Sequence, residues 1–290
     1  MMSSRIIPLL TVLAALFVIW YVAAAGMNAP LQRDLFANHD NKTYTTADLV
    51  IASLNMERPK LPAPHQIATE LYKLVVATPP SSKRSLVFHA RITLEETLIG
   101  FVIGAALGIG LAVLIVSIPL LESSLMPWIV ASQTVPIIAL APMIVVLLNQ
   151  FDIGGMTPKA VIAAYLSFFP ITVGMTKGFR SPDPLQLDLM RTYSATSSQV
   201  LTKLRAPASL PFFFASMKIG AAAALVGAVV AEVTKSEDGG LGARLLAGSY
   251  YGQTVQIWAA LFTAAALSGA LVALIDGIGR FTLKQRAFLT

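Results

Sequence analysis

Six apolar stretches, at 6–26, 97–118, 127–148, 159–179, 212–233 and 255–278, constrain this chain more than any other feature. Each is close to the ~20 mainly apolar residues that an α-helix needs to cross the hydrocarbon core of a bilayer. Inside that core every backbone polar group must be satisfied by the segment itself, which favours helices. The expected fold is therefore all-α, a polytopic membrane protein with six transmembrane helices. Charged residues make up only 12% of the chain, about half of what a soluble globular domain carries.

The first stretch has two readings. Arg5 precedes it and small residues, Ala23 to Gly26, end it, as in a secretory signal. Its length, with Trp20 and Tyr21 placed like an interfacial belt, favours a retained helix.

The net charge of +6 is explained by topology. With a cytoplasmic N-terminus, Arg180, Arg191, Lys203 and Arg205 oppose only Asp183 and Asp188 on the inner side, and Arg280, Lys284 and Arg286 follow in the tail. This is the positive-inside pattern, and nucleic acid is not needed as a partner. The expected organisation is an N-terminal span (1–26), a periplasmic segment (27–91), a core (92–283) with a cytoplasmic loop at 180–211, and a tail (284–290). Within the periplasmic segment, Ile67, Leu71, Leu74 and Val75 recur at helical spacing, predicting an amphipathic helix on the membrane surface.

The chain has no cysteine, and its three histidines, His39, His65 and His89, show no metal-ligand spacing and read as solvated loop residues. No metal site and no cofactor site is expected. Gly100, Gly104 and Gly108, followed by Ala112, give the second span a smooth face for close helix packing. Pro136, Pro142 and Pro170 interrupt the third and fourth spans, and broken helices can line a pathway. Polar residues within spans are costly and usually turn inward. Gln133, Thr134, Pro136, Lys218 and Glu232 are thus candidates for a translocation path, although Lys218 and Glu232 sit near opposite ends of one span, where they can also snorkel.

Enzymatic chemistry is unsupported. There is no Gly-x-x-x-x-Gly-Lys-Ser/Thr loop, no Gly-x-Ser-x-Gly elbow and no His-Glu-x-x-His pair. Glu95 and Glu96 are adjacent and diverge by ~100° on a helix, so no two carboxylates are expected to share a membrane site. The energy source is therefore sought in a partner, with an ion-coupled carrier lacking an ATPase as the alternative.

The inner loop carries the most specific signal. Leu185, Leu189 and Tyr193 share a helical face, and Thr196 with Gln199 has the spacing of a capping box for a second short helix. Pro207 and Pro211 stiffen the return. The segment resembles the cytoplasmic "EAA" loop of ATP-binding-cassette importer permeases: Glu-Ala-Ala, three residues, Gly, nine residues, a hydrophobic residue, any residue, Leu-Pro. Asp188 falls on the Glu, Ser194 on the Gly, Leu204 on the hydrophobic position and Ala206-Pro207 on the Leu-Pro, with every spacing kept. Ser194 in place of glycine is the chief departure.

The resemblance continues through Leu61-Pro-Ala-Pro64, residues 227–232 and Gly240-Leu-Gly242, and is nearest the nitrate, taurine, sulfonate and thiamine-precursor branch. It implies the type I importer fold and a subunit that moves a small polar organic solute without hydrolysing ATP. It implies as partners two ATPase subunits that bind ATP-Mg, a second permease copy or homologue, a periplasmic solute-binding protein and the lipid of a bacterial inner membrane. By the same resemblance, Asp188, Arg191, Thr192, Ser194, Ala195, Thr196, Leu204 and Pro207 couple the chain to its ATPase.

Overall fold

The computed structural model describes residues 3–38 and 44–287, so His39 lies outside the described residues. Every element among them is helical. In chain order these are α1 (Ser3–Asn38), α2 (Thr46–Leu54), α3 (Pro64–Tyr72), α4 (Leu86–Ser117), α5 (Pro119–Ser132), α6 (Ile137–Gln150), α7 (Thr157–Phe179), α8 (Pro184–Thr192) and α9 (Ser197–Val200), then α10 (Ala206–Ala208), α11 (Leu210–Thr234), α12 (Leu241–Tyr250) and α13 (Thr254–Ala287).

Among the described residues, five helices are long and apolar enough to cross a membrane: α1, α4, α7, α11 and α13. The stretch 127–148, expected as one span, falls on the pair α5 and α6, bent by 100°, which makes a sixth span if the pair is counted as one. The break has a local cause. Pro136 cannot donate to the helix before it, and its ring pushes Val135 out of the helical region, so α5 ends at Ser132 and α6 restarts at Ile137. The first helix also runs past Gly26 to Asn38, with Pro8 and Pro30 inside it.

The chain divides into two compact units, residues 1–88 with 244–263, and residues 89–243 with 264–290. In the first unit, Asn28 on α1 is fully buried and saturates its amide. Its Nδ2 donates to the Ser53 and Leu61 carbonyls at 3.1 and 2.9 Å, and its Oδ1 accepts from the Lys60 and Leu61 amides at 2.8 and 3.2 Å. Trp20 and Trp258 pack with ring centroids 5.2 Å apart. The expected amphipathic helix is α3, continued by a wider π turn at Lys73–Ala77; it buries Ile67 and Leu74 against the protein, while Val75 points outward.

The second unit is built on small residues. A Cβ placed at Gly100 would stand 2.6 Å from the Ala160 carbonyl oxygen, at Gly104 2.8 Å from that of Ala164, and at Gly108 2.8 Å from that of Phe168. The glycine face of α4 therefore lies directly on the α7 backbone, running in the same direction. Gly174 meets Ser216, and Gly220 and Gly227 meet Ile171 and Ala163, α7 residues that α4 also touches, which packs α11 antiparallel to α7. Ala112, Ile171, Met175, Phe179 and Met217 fill the space among these helices. This packing gives the unit two ends: one where α7 passes into α8 and returns into α11, and one where α7 begins and α11 finishes.

Candidate functional site

At the first end, α8 and α9 form a hairpin whose every bend has a local cause. Pro184 takes the first position of α8, where its missing N–H costs nothing. The Asp183 carboxylate caps it, accepting from the Leu185 amide at 2.8 Å. The helix ends on Ser194, which is left-handed at φ 52°. The Ser194 amide donates to the Arg191 carbonyl at 2.8 Å and the Ala195 amide to that of Met190 at 3.0 Å, the two bonds of a Schellman stop. Thr196 then opens α9: its amide donates to Gln199 Oε1 at 2.9 Å and its Oγ1 accepts from the Gln199 amide at 3.3 Å.

The hairpin brings its sequence-predicted residues together. Asp188 and Arg191 pair at 2.9 Å on the exposed face of α8, and Thr192 Oγ1 donates to the Asp188 carbonyl at 3.0 Å. Ala195 is half-buried beside exposed Ser194 and Thr196, while Leu204 and Pro207 are half-buried on the return. Leu185 and Tyr193 are 78% and 77% exposed, an apolar edge that nothing among the described residues covers. A concavity of about 310 Å³ beneath the hairpin is lined by Ser117, Leu187, Arg191, Ala195 and Arg205, among others. Arg180, at the hairpin's base, makes a two-pronged pair with Glu122 of α5 at 2.7 and 2.6 Å.

The five path candidates do not come together. Gln133, Thr134 and Pro136 lie exposed at the α5–α6 bend, where Gln133 closes α5 and Pro136 starts α6. Lys218 is paired: its ammonium donates to Asp276 of α13 at 2.7 Å, and Asp276 also holds Arg280 at 2.7 Å.

Glu232 is completely buried, which overturns the snorkelling reading, and it belongs to a network at the second end that the sequence did not announce. Its Oε1 accepts from Thr93 Oγ1 at 2.6 Å and its Oε2 from the Gly242 amide at 2.6 Å. Thr93 Oγ1 also accepts from the Leu241 amide at 2.9 Å, and His89 Nδ1 from the Gly240 amide at 3.0 Å. The first amides of α12 are thus held by α4 and α11 side chains. His89, expected as a solvated residue, is buried.

Glu96 stands one helical turn along α4 from Thr93, the residue that binds Glu232, and is buried in the same network. Two carboxyls therefore do share a membrane-embedded site, contrary to the sequence expectation. The second carboxyl comes not from the neighbour Glu95, which pairs outside with Arg91 at 2.8 Å, but from a helix 136 positions away (232 − 96). Lys159, at the start of α7, inserts a fully buried ammonium 2.9 Å from Glu96 and 3.5 Å from Asp238. The available signal was the ionisable residue at the mouth of an apolar run, which is a site candidate by default.

A model of the family described as "Binding-protein-dependent transport system inner membrane component" matches residues 104–284, well over half the chain. The chain belongs to this family. It is a multi-pass permease component of binding-protein-dependent ABC importers. It is 31% identical over 188 residues to a probable ABC transporter permease of Haemophilus influenzae, covering 65% of this chain and 75% of that one. It is 33% identical to the formylaminopyrimidine transport permease ThiX of Halalkalibacterium halodurans, covering 62% and 67%. With the riboflavin transport permease RibX of Chloroflexus aurantiacus it shares 29%, covering 78% and 81%.

Proposed function

We propose that this permease forms, with a second copy or a homologue, the inner-membrane path of an importer for a small polar organic solute, delivered by a periplasmic binding protein. Two ATPase subunits drive it through the α8–α9 hairpin, and the N-terminus is cytoplasmic. The observation that carries this reading is the hairpin itself: a capped, rigid knob with an uncovered apolar edge, joined directly to α7 and α11. Motion of a seated partner would reach the two most closely packed helices of the core without an intervening flexible link.

Asp188→Lys reverses the charge on the knob's face, and Ala195→Trp places a large side chain beside Ser194 and Thr196. Both substitutions leave the membrane helices untouched. In purified complexes with the cognate ATPase, each is expected to abolish substrate-stimulated ATP hydrolysis at normal permease yield. Full stimulation in both variants would reduce the hairpin to a surface ornament.

For the solute, a vitamin-like heterocycle is the first choice and a sulfonate or other small anion the second. ThiX and RibX support the first by the substrates in their names, at higher identity than the aliphatic-sulfonate permease SsuC of Bacillus subtilis, at 24%. Uptake measured with both ligand classes decides, and stimulation by sulfonates alone would reject the heterocycle.

A further inference from the structure

The buried network at the second end contains one group too many of the same sign. Among the described residues Lys159 is the only lysine or arginine within it, and Glu96, Glu232 and Lys159 are each at most 1% exposed. Asp238, which also reaches Lys159, is 46% exposed and keeps its own contact with solvent. If Glu96 and Glu232 were both ionised, the buried trio would carry an uncompensated negative charge, which low-dielectric surroundings strongly disfavour.

The hydrogen-bond pattern points to how that charge is cancelled. Both Glu232 oxygens already accept a bond, from Thr93 and from Gly242. Glu96 Oε1 accepts from Lys159, but its Oε2 is buried with no donor in reach. An ionised carboxylate can only accept. Glu96 stands one helical turn along α4 from Thr93, which binds Glu232, so both carboxyls crowd into one buried network around a single ammonium. We propose that Glu96 and Glu232 together bind one proton, shared as a carboxylic acid–carboxylate hydrogen bond and closed in by Lys159.

One proton satisfies both observations. It supplies the missing donor at Glu96 Oε2, and it leaves Lys159 facing a single net negative charge. The other groups around the pair are Thr93 and His89 from α4, which bind the Leu241 and Gly240 amides, and Asp238 from the turn before α12. Thr93 and Asp238 carry no positive charge, and His89 Nδ1 accepts a hydrogen bond from the Gly240 amide, as an unprotonated nitrogen does. The inference does not depend on the hairpin's role at the other end.

Infrared spectroscopy of the purified full-length permease in lipid nanodiscs tests it directly. The wild type is expected to show a carboxylic-acid C=O stretch at neutral pH that shifts only slowly on transfer to D₂O. Glu96→Gln and Glu232→Gln each replace the shared proton by an amide donor and keep the trio neutral, so both should fold and both should lose that band. If one variant fails to fold, the other carries the test. A wild type without the band, or a band indifferent to both substitutions, would overturn the proposal. So would the absence of the band together with stabilisation by added sodium ions, which would put a metal cation in the proton's place.

Discussion

The two ends of the α4–α7–α11 bundle solve opposite problems. At the hairpin, polar groups are satisfied by neighbours two to five residues away and the side chains face outward. At the far end, Glu96 meets Lys159 across 63 positions and Thr93 meets Glu232 across 139, with both pairs buried. The contrast fits the proposed docking role of the hairpin. Locally closed structure keeps its shape while a partner presses on it, whereas a network spanning three helices holds only if all three are in place. Substitutions at the network should therefore change the global stability of the permease, and those at the hairpin only local opening.

The largest effect is expected from Lys159→Met. It removes the one buried cation and leaves Glu96 and Glu232 to share an uncompensated charge. Breaking a buried pair from one side typically costs about 3–5 kcal/mol, enough to collapse the yield of monodisperse protein and lower its melting temperature sharply. The triple variant Lys159→Met, Glu96→Gln, Glu232→Gln leaves no charge in the buried trio and should recover part of the loss. Equal damage in the single and triple variants would show that packing, not charge, is what Lys159 supplies.

Next comes Gly240→Ala. Gly240 stands at φ 109°, and an added Cβ would overlap the Glu232 carboxyl, so strain and displacement of the buried acid act together. A cost of about 1–3 kcal/mol is expected from backbone strain alone, read as a lower thermal midpoint. An unchanged midpoint would mean that the turn is not tied to the network as its hydrogen bonds indicate.

How legible each end was follows from the same contrast. The capping box at Thr196 and Gln199 and the proline return are written in adjacent residues, and the sequence pattern located them; the left-handed stop at Ser194 was not legible, because serine stands where glycine would have marked it. The glycine face of α4 was legible too, because a period of four needs no knowledge of its partner. The Glu96, Lys159 and Glu232 cluster was not, because nothing local distinguishes a glutamate awaiting a distant lysine from one awaiting water. Lys159 opens an apolar run, a position that suits a solvated lysine equally well, yet it is fully buried. The α5–α6 bend falls between these cases: Pro136 marked the site, but hydropathy, which averages over a window, smoothed two half-helices into one span.

A smaller effect is expected at Asp183→Ala. Loss of an N-cap costs typically about 1 kcal/mol, and α8 is anchored at both ends to structure that does not need it. Hydrogen exchange of the α8 amides should quicken while the global melting temperature stays within error. A global shift comparable to that of Gly240→Ala would erase the distinction between the two ends.

The smallest effect is expected at Ser194→Gly, and it runs the other way. Ser194 occupies a left-handed conformation, φ 52°, that costs a residue with a Cβ roughly 1 kcal/mol. Glycine adopts it freely, so the folded hairpin gains by the substitution. The unfolded chain gains as well, since glycine has more conformations to lose on folding, and that offsets part of the benefit. The net stabilisation should be a few tenths of a kcal/mol up to about 1 kcal/mol. Because Ser194 is exposed and only its backbone amide takes part in the Schellman stop, the substitution removes no hydrogen bond from that stop. Slower exchange at the Ser194 and Ala195 amides, with ATPase stimulation unchanged, is the expected result. Faster exchange there would show that the serine side chain stabilises the stop by more than its backbone strain costs.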